Sequence, residues 1–239
     1  RNAPSLANVA YVSPMLRDGG TPTLETQVLA PIDDPVEMAH NIVDAGNRLK
    51  QIPEYVELSN LAYGRDPDYY VITRALAAFE RTFISGNSKY DRVVYMGTES
   101  FTASEQNGMN LFFNSELQCA QCHSGFNFTN NSFQNNGLYL NYADSGRARI
   151  TWLPEDNGKF KVPTLRNVAV TAPYMHDGSV ATLEEVVDHY ASGGQPHANK
   201  SGFVSGFTLT AAEKQDLVNF LKTLTDQDFI TNTEIAEPQ

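Results

Sequence analysis

Two cysteines and a histidine form the segment with the clearest chemical meaning, Cys119-Ala-Gln-Cys122-His123. Two thiols at this spacing can each form a thioether bond to one haem, and the adjacent histidine can then bind the iron. The segment uses both cysteines of the chain. A redox-active disulfide is the alternative chemistry for a C-x-x-C pair. The histidine directly after the second cysteine, and the lack of a strand–helix–strand pattern around it, favour covalent haem c.

A second feature is an internal repeat, in which residues 4–25 match residues 163–184 without a gap. The offset is 163 − 4 = 159 positions, and 11 of the 22 aligned residues are identical. Periods of about 20–50 residues indicate solenoids, whereas one repeat at this longer spacing indicates a duplicated domain. The same offset places the equivalent of Cys119 at 119 − 159 = −40, before Arg1. We therefore expect a first haem-binding segment that these 239 residues do not include.

The composition is that of a folded protein with an acidic surface. A chain of 239 residues, 41% of them hydrophobic, is long enough for one or two domains with a buried core. The net charge of 17 − 28 = −11 disfavours nucleic acid as a partner and favours basic or dipolar electron donors. Solubility alone explains this charge equally well. No run approaches the ~18–20 apolar residues of a membrane span, so none is expected.

Helices dominate the predicted secondary structure, and strand signals are scarce. Residues 70–84 have apolar side chains at helical spacing. Three Thr-x-x-Glu capping boxes predict helices that begin after Thr102, Thr182 and Thr210, the second of which runs to about Tyr190. The expected apolar stripes are Ile72, Leu76, Phe79 and Phe83 in the first helix, and Leu217, Phe220, Leu221 and Leu224 in the last. One helix before the haem motif and another at the end correspond to the plan of a cytochrome c.

Two segments have loop-like composition. Residues 124–161 are rich in Asn and Gly and contain Asn-Gly turns at 136–137 and 157–158. Loops of this length are usually functional or packed on a ligand, so we expect this one to cover the haem. The tail after Asp228 is polar and is expected to be frayed.

The chain resembles the bacterial dihaem cytochrome c peroxidases and their MauG-type relatives over nearly its whole length. The resemblance rests on RNAPSLANVA, APIDDPVEMA, RALAAFERTFISGNSKYDR, CAQCHSGFNFT, KVPTLRNVAVTAPYMHDGSVATLEEVVDHY and LVNFLKTLT. It implies a mainly α fold of two cytochrome c-like domains, related by a two-fold internal duplication, with the first domain incomplete at its N-terminus. It also implies a peroxidatic haem in the first domain, an electron-transfer haem in the second, and Ca²⁺ between them. The expected units are residues 1–96 (distal part of the first domain), 97–227 (second domain with covalent haem c) and 228–239 (tail).

The resemblance implies that Tyr190 is the distal ligand of the haem whose proximal ligand is His123. Peroxidases of the family typically have methionine at this position, whereas the MauG-like branch has tyrosine. A phenolate stabilises Fe(III) and lowers the haem potential. The alternatives are a buried tyrosine that only hydrogen-bonds, and the neighbouring His189 as ligand. Subtracting the repeat offset, 190 − 159 = 31, gives Pro31, which has no side-chain donor for iron.

Glu37 is placed by the resemblance on the distal side of the peroxidatic haem. Cleavage of peroxide needs a group that takes a proton from the inner oxygen and returns it to the leaving oxygen. A carboxylate with a raised pKa in an apolar pocket suits that role. An exposed helical glutamate is the alternative.

A calcium site is expected where the two halves meet. The resemblance assigns it to Asn2 and to the backbone carbonyls of Thr171 and Pro173, and oxygen-rich ligation suits Ca²⁺. A cap at Asn2 and an ordinary turn at Pro173 are the alternatives.

Other residues around the haem have more than one interpretation. His176 is an iron ligand, a donor at the haem edge or a satisfied buried histidine, and the resemblance favours the haem environment without ligation. Met175 is a thioether ligand or a core residue, with core packing the usual fate of such a methionine. Arg166 pairs with a haem propionate or lies on the surface. The tryptophan usual between the two haems is replaced by Arg17, and Trp152 lies elsewhere, so electrons between the haems must take another route.

The expected function is that of a peroxidase that reduces hydrogen peroxide, or of a MauG-like oxidase that acts on a protein substrate. The expected partners are hydrogen peroxide and a small redox protein or protein substrate as electron donor. A non-catalytic electron carrier with one haem, and a redox sensor or structural module, are the alternatives. Bacteria attach haem to cysteines in the periplasm, which predicts a periplasmic protein. The oligomeric state stays open, with a homodimer as one alternative.

Overall fold

The computed structural model describes residues 1–236, and their secondary structure is mainly helical. The helices before the haem motif are α1 (Leu24–Gln27), α2 (Leu29–Asp33), α3 (Ile42–Leu49), α4 (Pro53–Tyr63), α5 (Tyr69–Glu80), α6 (Lys89–Val94) and α7 (Ala103–Phe113). They are followed by α8 (Cys119–Cys122), α9 (Ala148–Thr151), α10 (Leu183–Ala191), α11 (Ala211–Lys222) and α12 (Gln227–Ile230). Short 3₁₀ helices lie at Val9–Tyr11, Pro154–Asp156, Val168–Val170 and Thr233–Ile235. Two antiparallel strands, β1 (Phe133–Gln134) and β2 (Phe160–Lys161), form a small sheet. The mainly α class is confirmed.

The three predicted capping boxes are present at the starts of α7, α10 and α11. In each, the threonine hydroxyl accepts the backbone N–H of the glutamate three residues later, and the glutamate carboxylate accepts the threonine N–H. Each box satisfies donors that a helix start would otherwise leave without partners. After Asp228 the described residues complete α12 and form the 3₁₀ turn Thr233–Ile235, and fraying of this tail stays a prediction. Asp226 caps α12 by accepting the N–H of Phe229, at 3.1 Å, and residues 237–239 lie outside the description.

The main core lies between α7 and α11, the helices before the haem motif and near the end of the chain. The four predicted apolar side chains are buried, Leu217, Phe220 and Leu221 on α11 and Leu224 just beyond its end. Phe112 of α7 and Tyr90 of α6 pack in the same cluster, beside Phe128. Burial of each large apolar side chain contributes about 1.5–3 kcal/mol, so this cluster holds the two helices in register behind the haem motif.

Gly108 lets α7 approach α11 closely, and this contact gives a stability prediction. A Cβ at Gly108 would lie 1.9 Å from the carbonyl oxygen of Asp216 and 2.8 Å from Cβ of Phe220. Overpacking of this kind costs about 1–3 kcal/mol, so Gly108→Ala is expected to lower the free energy of unfolding by that amount, seen as a lower urea midpoint. Gly86→Ala is the matched control, because a Cβ there meets nothing within 4 Å. Equal midpoints for the two variants would contradict the close packing.

Helix α5 is shorter than predicted and turns a different face inward. It ends at Glu80, so Phe83 lies outside it. The predicted stripe is wrong, because Leu76 and Phe79 are 41% and 43% exposed, whereas Ala77 is fully buried. Both faces of this helix contain apolar residues, so periodicity alone does not select the buried one.

The two repeated segments adopt the same local backbone conformation. Asn8 and Asn167 both have left-handed φ values, of 58° and 61°, and each precedes a 3₁₀ turn. Leu16 and Met175 are left-handed as well, with φ of 66° and 70°. The isolated bridge between Met15 and Thr21 recurs 159 residues later between Tyr174 and Val180. The two segments that share sequence identity thus make the same turns in the same order. Each segment then leads into a helix that is capped by a threonine.

A buried polar network connects the two repeated segments. Asn8 accepts the N–H of Ser85 at 2.8 Å, and Asn167 accepts the N–H of Asp226 at 2.8 Å. The amide of Asn167 donates to Oγ of Ser85, which itself lies 3.2 Å from a carboxylate oxygen of Asp226. All four side chains are almost fully buried. Buried groups of this kind are costly unless partnered, and here each has a partner from the other network residues.

The long segment 124–161 is largely irregular, as predicted. Its two Asn-Gly turns place Gly137 and Gly158 at φ of 67° and 72°, a left-handed conformation that glycine adopts without strain. Gly137 is also in close contact with the backbone of Gln195. The segment therefore packs against the loop that follows α10, beside the haem motif.

Candidate haem site

A cleft of about 260 Å³ opens beside the Cys119–Cys122 helix. Most of its lining is apolar and comes from the core between α7 and α11 and from α10. Both cysteines, His123 and Tyr190 line it. An apolar cleft with a few convergent polar groups is the usual form of a cofactor site.

His123 is held as a metal ligand requires. Its Nδ1 lies 3.0 Å from the carbonyl oxygen of Phe128, which can only accept, so Nδ1 carries the proton and Nε2 keeps its lone pair. Burial lowers the pKa of His123, which keeps the imidazole neutral. A neutral imidazole with a free Nε2 is the state that binds iron.

The two thiols are unpaired and lack the features of a redox-active pair. Burial raises the pKa of Cys119 to about 11 and also raises the pKa of Cys122. A reactive C-x-x-C pair has a depressed thiol pKa, produced by a nearby cation or by a helix N-terminus. Helix α8 has only four residues, and its N-cap, Gln118, makes no side-chain cap. The surroundings therefore favour attachment of a group over thiol exchange.

Tyr190 lies in the last turn of α10 and lines the same cleft as the cysteines. Burial raises the pKa of Tyr190 to about 12, so the free phenol is neutral. The rival ligand His189 is engaged elsewhere, because its Nε2 lies 3.0 Å from the carbonyl oxygen of Asn136. His189 does not line the cleft.

The charges of the cleft are all positive. Arg17 and Lys161 line it, and no carboxylate does within residues 1–236. The Lys161 side chain is buried, and in the described part of the chain its Nζ has no hydrogen-bond partner. Apolar walls, two thiols, a neutral histidine and two cations fit haem c, which has an apolar ring, two vinyl groups, an iron and two carboxylates.

His176 and Met175 also border the cleft. His176 stacks on Phe160, with ring centroids 4.0 Å apart and planes inclined by 21°. Burial lowers its pKa. The Met175 sulfur accepts from the amide of Asn136 at 3.2 Å. Both side chains thus have protein partners, and of the interpretations left open by the sequence these contacts favour a packed haem environment.

Both interpretations of Arg166 are wrong. Arg166 is 2% exposed, does not line the cleft, and forms a two-point ion pair with Asp91. Its Nε also donates to the carbonyl oxygen of Phe126 at 2.9 Å. Burial alone would raise the pKa of Asp91, but the hydrogen bonds from Arg166 and Ser88 lower it overall. Arg166 therefore ties α6 to the loop after the haem motif.

Loss of this buried pair is expected to destabilise the protein strongly. Arg166→Met leaves the Asp91 carboxylate buried without its partner, which costs about 3–5 kcal/mol, measured by urea unfolding. Arg92→Met is the matched control, since its pair with Glu99 is about one-third exposed and contributes about 0–1 kcal/mol.

The same pair predicts a pH dependence. Because the folded pKa of Asp91 lies below its ordinary value of 3.8, its stabilisation is present above about pH 4 and is lost as the pH falls further. The stability difference between wild type and Asp91→Asn should therefore shrink in acid. A difference that stays constant from neutral pH to pH 3 would contradict this sign.

The remaining predicted residues lie away from the iron ligands or at the edge of the cleft. Glu37 is exposed in a turn after α2 and does not line the cleft. Asn2 lies beside Pro173, whose carbonyl oxygen accepts from its amide, and Asn2 N–H donates to the carbonyl oxygen of His176 at 2.8 Å. Thr171 lines the same edge. Trp152 is 86% exposed at the end of α9.

Comparison with known proteins identifies the family. Residues 1–100 match the family model described as "Di-haem cytochrome c peroxidase". The methylamine utilization protein MauG of Methylophilus methylotrophus is 33% identical over 226 residues, which cover 94% of this chain and 68% of that protein. The chain belongs to the dihaem cytochrome c peroxidase and MauG family. A second MauG, from Methylorubrum extorquens, is 35% identical over 228 residues.

This chain has the same fold as a solved structure of a MauG-like protein associated with microbial copper homeostasis. The TM-score is 0.94 at 35% identity, over all of this chain and 79% of that one. The chain spans 64% of the length of the Methylorubrum extorquens MauG. None of the helices within residues 1–236 is both long and apolar enough to cross a membrane.

Proposed function

We propose that this chain is part of a c-type haem peroxidase of the dihaem type, which reduces hydrogen peroxide or uses it to oxidise a partner. The observation that carries the proposal is the convergence of Cys119, Cys122, His123 and Tyr190 on one apolar cleft. Haem c bound there supplies one-electron redox chemistry. The protein residues attach it, fix its axial ligands and exclude water from its face.

His123 and Tyr190 are proposed as the two axial ligands of this haem. His123 offers Nε2, with its ring held by the bond from Nδ1 to Phe128. Tyr190 would bind Fe(III) as the phenolate, with its proton released to solvent, whereas burial alone favours the neutral phenol. The bond between His189 and Asn136 supports this choice over the rival ligand. With both positions filled by protein, peroxide would react at a different haem.

We propose that the second haem is bound by sequence that precedes Arg1, in the first half of a duplicated protein. The shared turn geometry of residues 4–25 and 163–184 supports the duplication. The first half also displays large apolar side chains that a further packed module would cover: Val36, Met38, Tyr55, Leu58, Leu61, Tyr69, Leu76 and Phe79. The proposed units remain residues 1–96, 97–227 and 228–239.

Glu37 is proposed to move the proton during peroxide cleavage at that second haem. It would take a proton from the inner oxygen and return it to the leaving oxygen. Its neighbours Val36 and Met38 are exposed apolar residues. Covering them would place the Glu37 carboxyl in an apolar environment, which suits proton transfer in both directions.

A calcium ion is proposed at the edge of the cleft, bound by Asn2 and by the carbonyl oxygens of Thr171 and Pro173. The contact of the Asn2 amide with Pro173 O supports it, because a half-turn of that amide presents Oδ1 beside the carbonyl. Asn2→Ala is expected to weaken Ca²⁺ binding at least tenfold, measured by calorimetry on chelator-treated holoprotein. Asn141→Ala, at an exposed position outside the cleft, is the control. Equal affinity in the two variants would contradict the site.

The proposed partners are hydrogen peroxide and a small redox protein or protein substrate that supplies electrons. A periplasmic location follows from haem c attachment in bacteria. The excess of 28 acidic over 17 basic residues suits a donor with a basic docking face. A homodimer is retained as a proposal for the assembled protein.

The test is peroxide-dependent oxidation of a reduced small cytochrome by the full-length protein, with the haem count measured by pyridine haemochrome. Two haems per full-length chain and steady turnover are expected. Glu37→Gln is expected to lower kcat by about 10²–10⁴-fold, with both haems retained. One six-coordinate haem and no turnover would overturn the proposal in favour of an electron-transfer cytochrome.

A further inference from the structure

Lys161 has a buried ammonium group that forms no hydrogen bond with the described residues. It lies in β2, its side chain is 8% exposed, and its Nζ has no hydrogen-bond partner among the described residues. Nζ lies 5.5 Å from the centroid of the Phe133 ring. A cation–π contact stabilises an ammonium group by less than the cost of removing that group from water. Asp18 acts on Lys161 only through its charge, so the described residues leave Nζ without a hydrogen-bonded anion.

Arg17 lies beside Lys161 and also lacks a carboxylate partner among the described residues. The two are joined by a backbone hydrogen bond of 2.7 Å, from Lys161 N–H to the carbonyl oxygen of Arg17. The Arg17 guanidinium donates to the carbonyl oxygens of Asn2 and Ala3, and pairs with no carboxylate in the described chain. The neighbouring Asp18 carboxylate does not pair with Arg17, because it accepts a hydrogen bond from Arg1 at 2.5 Å.

The two cations share one space. Both line the cleft that holds Cys119, Cys122 and His123. Burial and the nearby Arg147 charge lower the pKa of Lys161 to about 8, and the more distant Asp18 carboxylate offsets this only in part. A carboxylate brought into the cleft would remove this penalty for both.

We propose that Lys161 and Arg17 together bind a propionate carboxylate of the haem attached to Cys119 and Cys122. The inference rests on the haem of the proposed function and adds the residues that orient its polar edge. Lys161 and Arg17 are positioning residues, since they act on the iron through the propionate.

The pair has a consequence for the haem potential. Two cations beside a propionate offset its negative charge, and less negative charge near the iron favours Fe(II) over Fe(III). Lys161→Met removes one charge and keeps the length of the side chain. The midpoint potential of the haem is then expected to fall by at least about 59 mV, equal to tenfold in a one-electron equilibrium constant.

Spectroelectrochemical titration of the holoprotein tests the pair. Lys161→Arg keeps the charge and should restore a potential close to wild type, and Lys50→Met controls for loss of an exposed charge at the end of α3. Equal potentials for Lys161→Met and Lys50→Met would overturn the proposal.

A crystal structure of the wild-type holoprotein decides the same question if Lys161→Met fails to fold. A propionate oxygen within 4 Å of both Nζ of Lys161 and the Arg17 guanidinium is expected. Propionates that point away from both would overturn it. Absence of covalent haem from the wild-type protein would instead show that the proposed function fails, which separates the two outcomes.

Discussion

Replacement of both Cys119 and Cys122 with serine is expected to abolish covalent haem attachment. A hydroxyl does not add to a haem vinyl group as a thiol does, and no other cysteine exists in the chain to replace the bonds. The double variant should lose essentially all haem on extraction with acidified organic solvent. Each single variant should retain one thioether bond or lose the haem. The measurement is the pyridine haemochrome spectrum of the protein before and after extraction.

The control is Ser124→Ala, which alters a hydroxyl directly after the haem motif and leaves both thiols in place. It should bind haem as the wild type does. A double variant that is fully loaded with extraction-resistant haem would contradict covalent attachment at these cysteines.

Tyr190→Phe is expected to open one axial position of the haem held by His123. The variant loses the phenolate oxygen and keeps the ring that packs in the cleft. The ferric haem should become five-coordinate or water-bound in essentially all molecules. Its midpoint potential should rise by at least about 59 mV, because an anionic donor that stabilises Fe(III) has been removed. Absorption and electron paramagnetic resonance spectra of the ferric protein report the coordination.

Tyr174→Phe is the matched control, because Tyr174 also lines the cleft but its hydroxyl donates to the carbonyl oxygen of Val168 at 3.0 Å. It should leave the coordination unchanged. His189→Gln tests the rival ligand. If that variant opens the axial position and Tyr190→Phe does not, the assignment to Tyr190 is wrong.

Local sequence patterns predict those helices whose starts depend on local hydrogen bonds. Thr102, Thr182 and Thr210 begin helices because each is followed at the third position by a glutamate that completes the box. The apolar stripe of α11 was predictable because its opposite face is polar. The stripe of α5 was not, because Leu76 and Ala77 are both apolar, and the surrounding fold decides which one is buried.

The parts of the site close to the haem motif were predictable, and those assembled from distant residues were not. The residue types and spacing of Cys119, Cys122 and His123 are enough to predict covalent haem attachment. Arg166 gave no sign of its partner, since Asp91 lies 75 residues earlier and only the fold brings the two together. Lys161 was missed because a single lysine in a loop-like segment carries no local signal that it will be buried without an anion.

Covalent haem attachment at Cys119 and Cys122 is tested directly by the mass of the intact chain under denaturing conditions, after expression with a haem c maturation system. Residues 1–239 are expected to carry one haem through two thioether bonds and to have no free thiol. A chain with the mass of the polypeptide alone, its two cysteines free or joined in a disulfide, would contradict it.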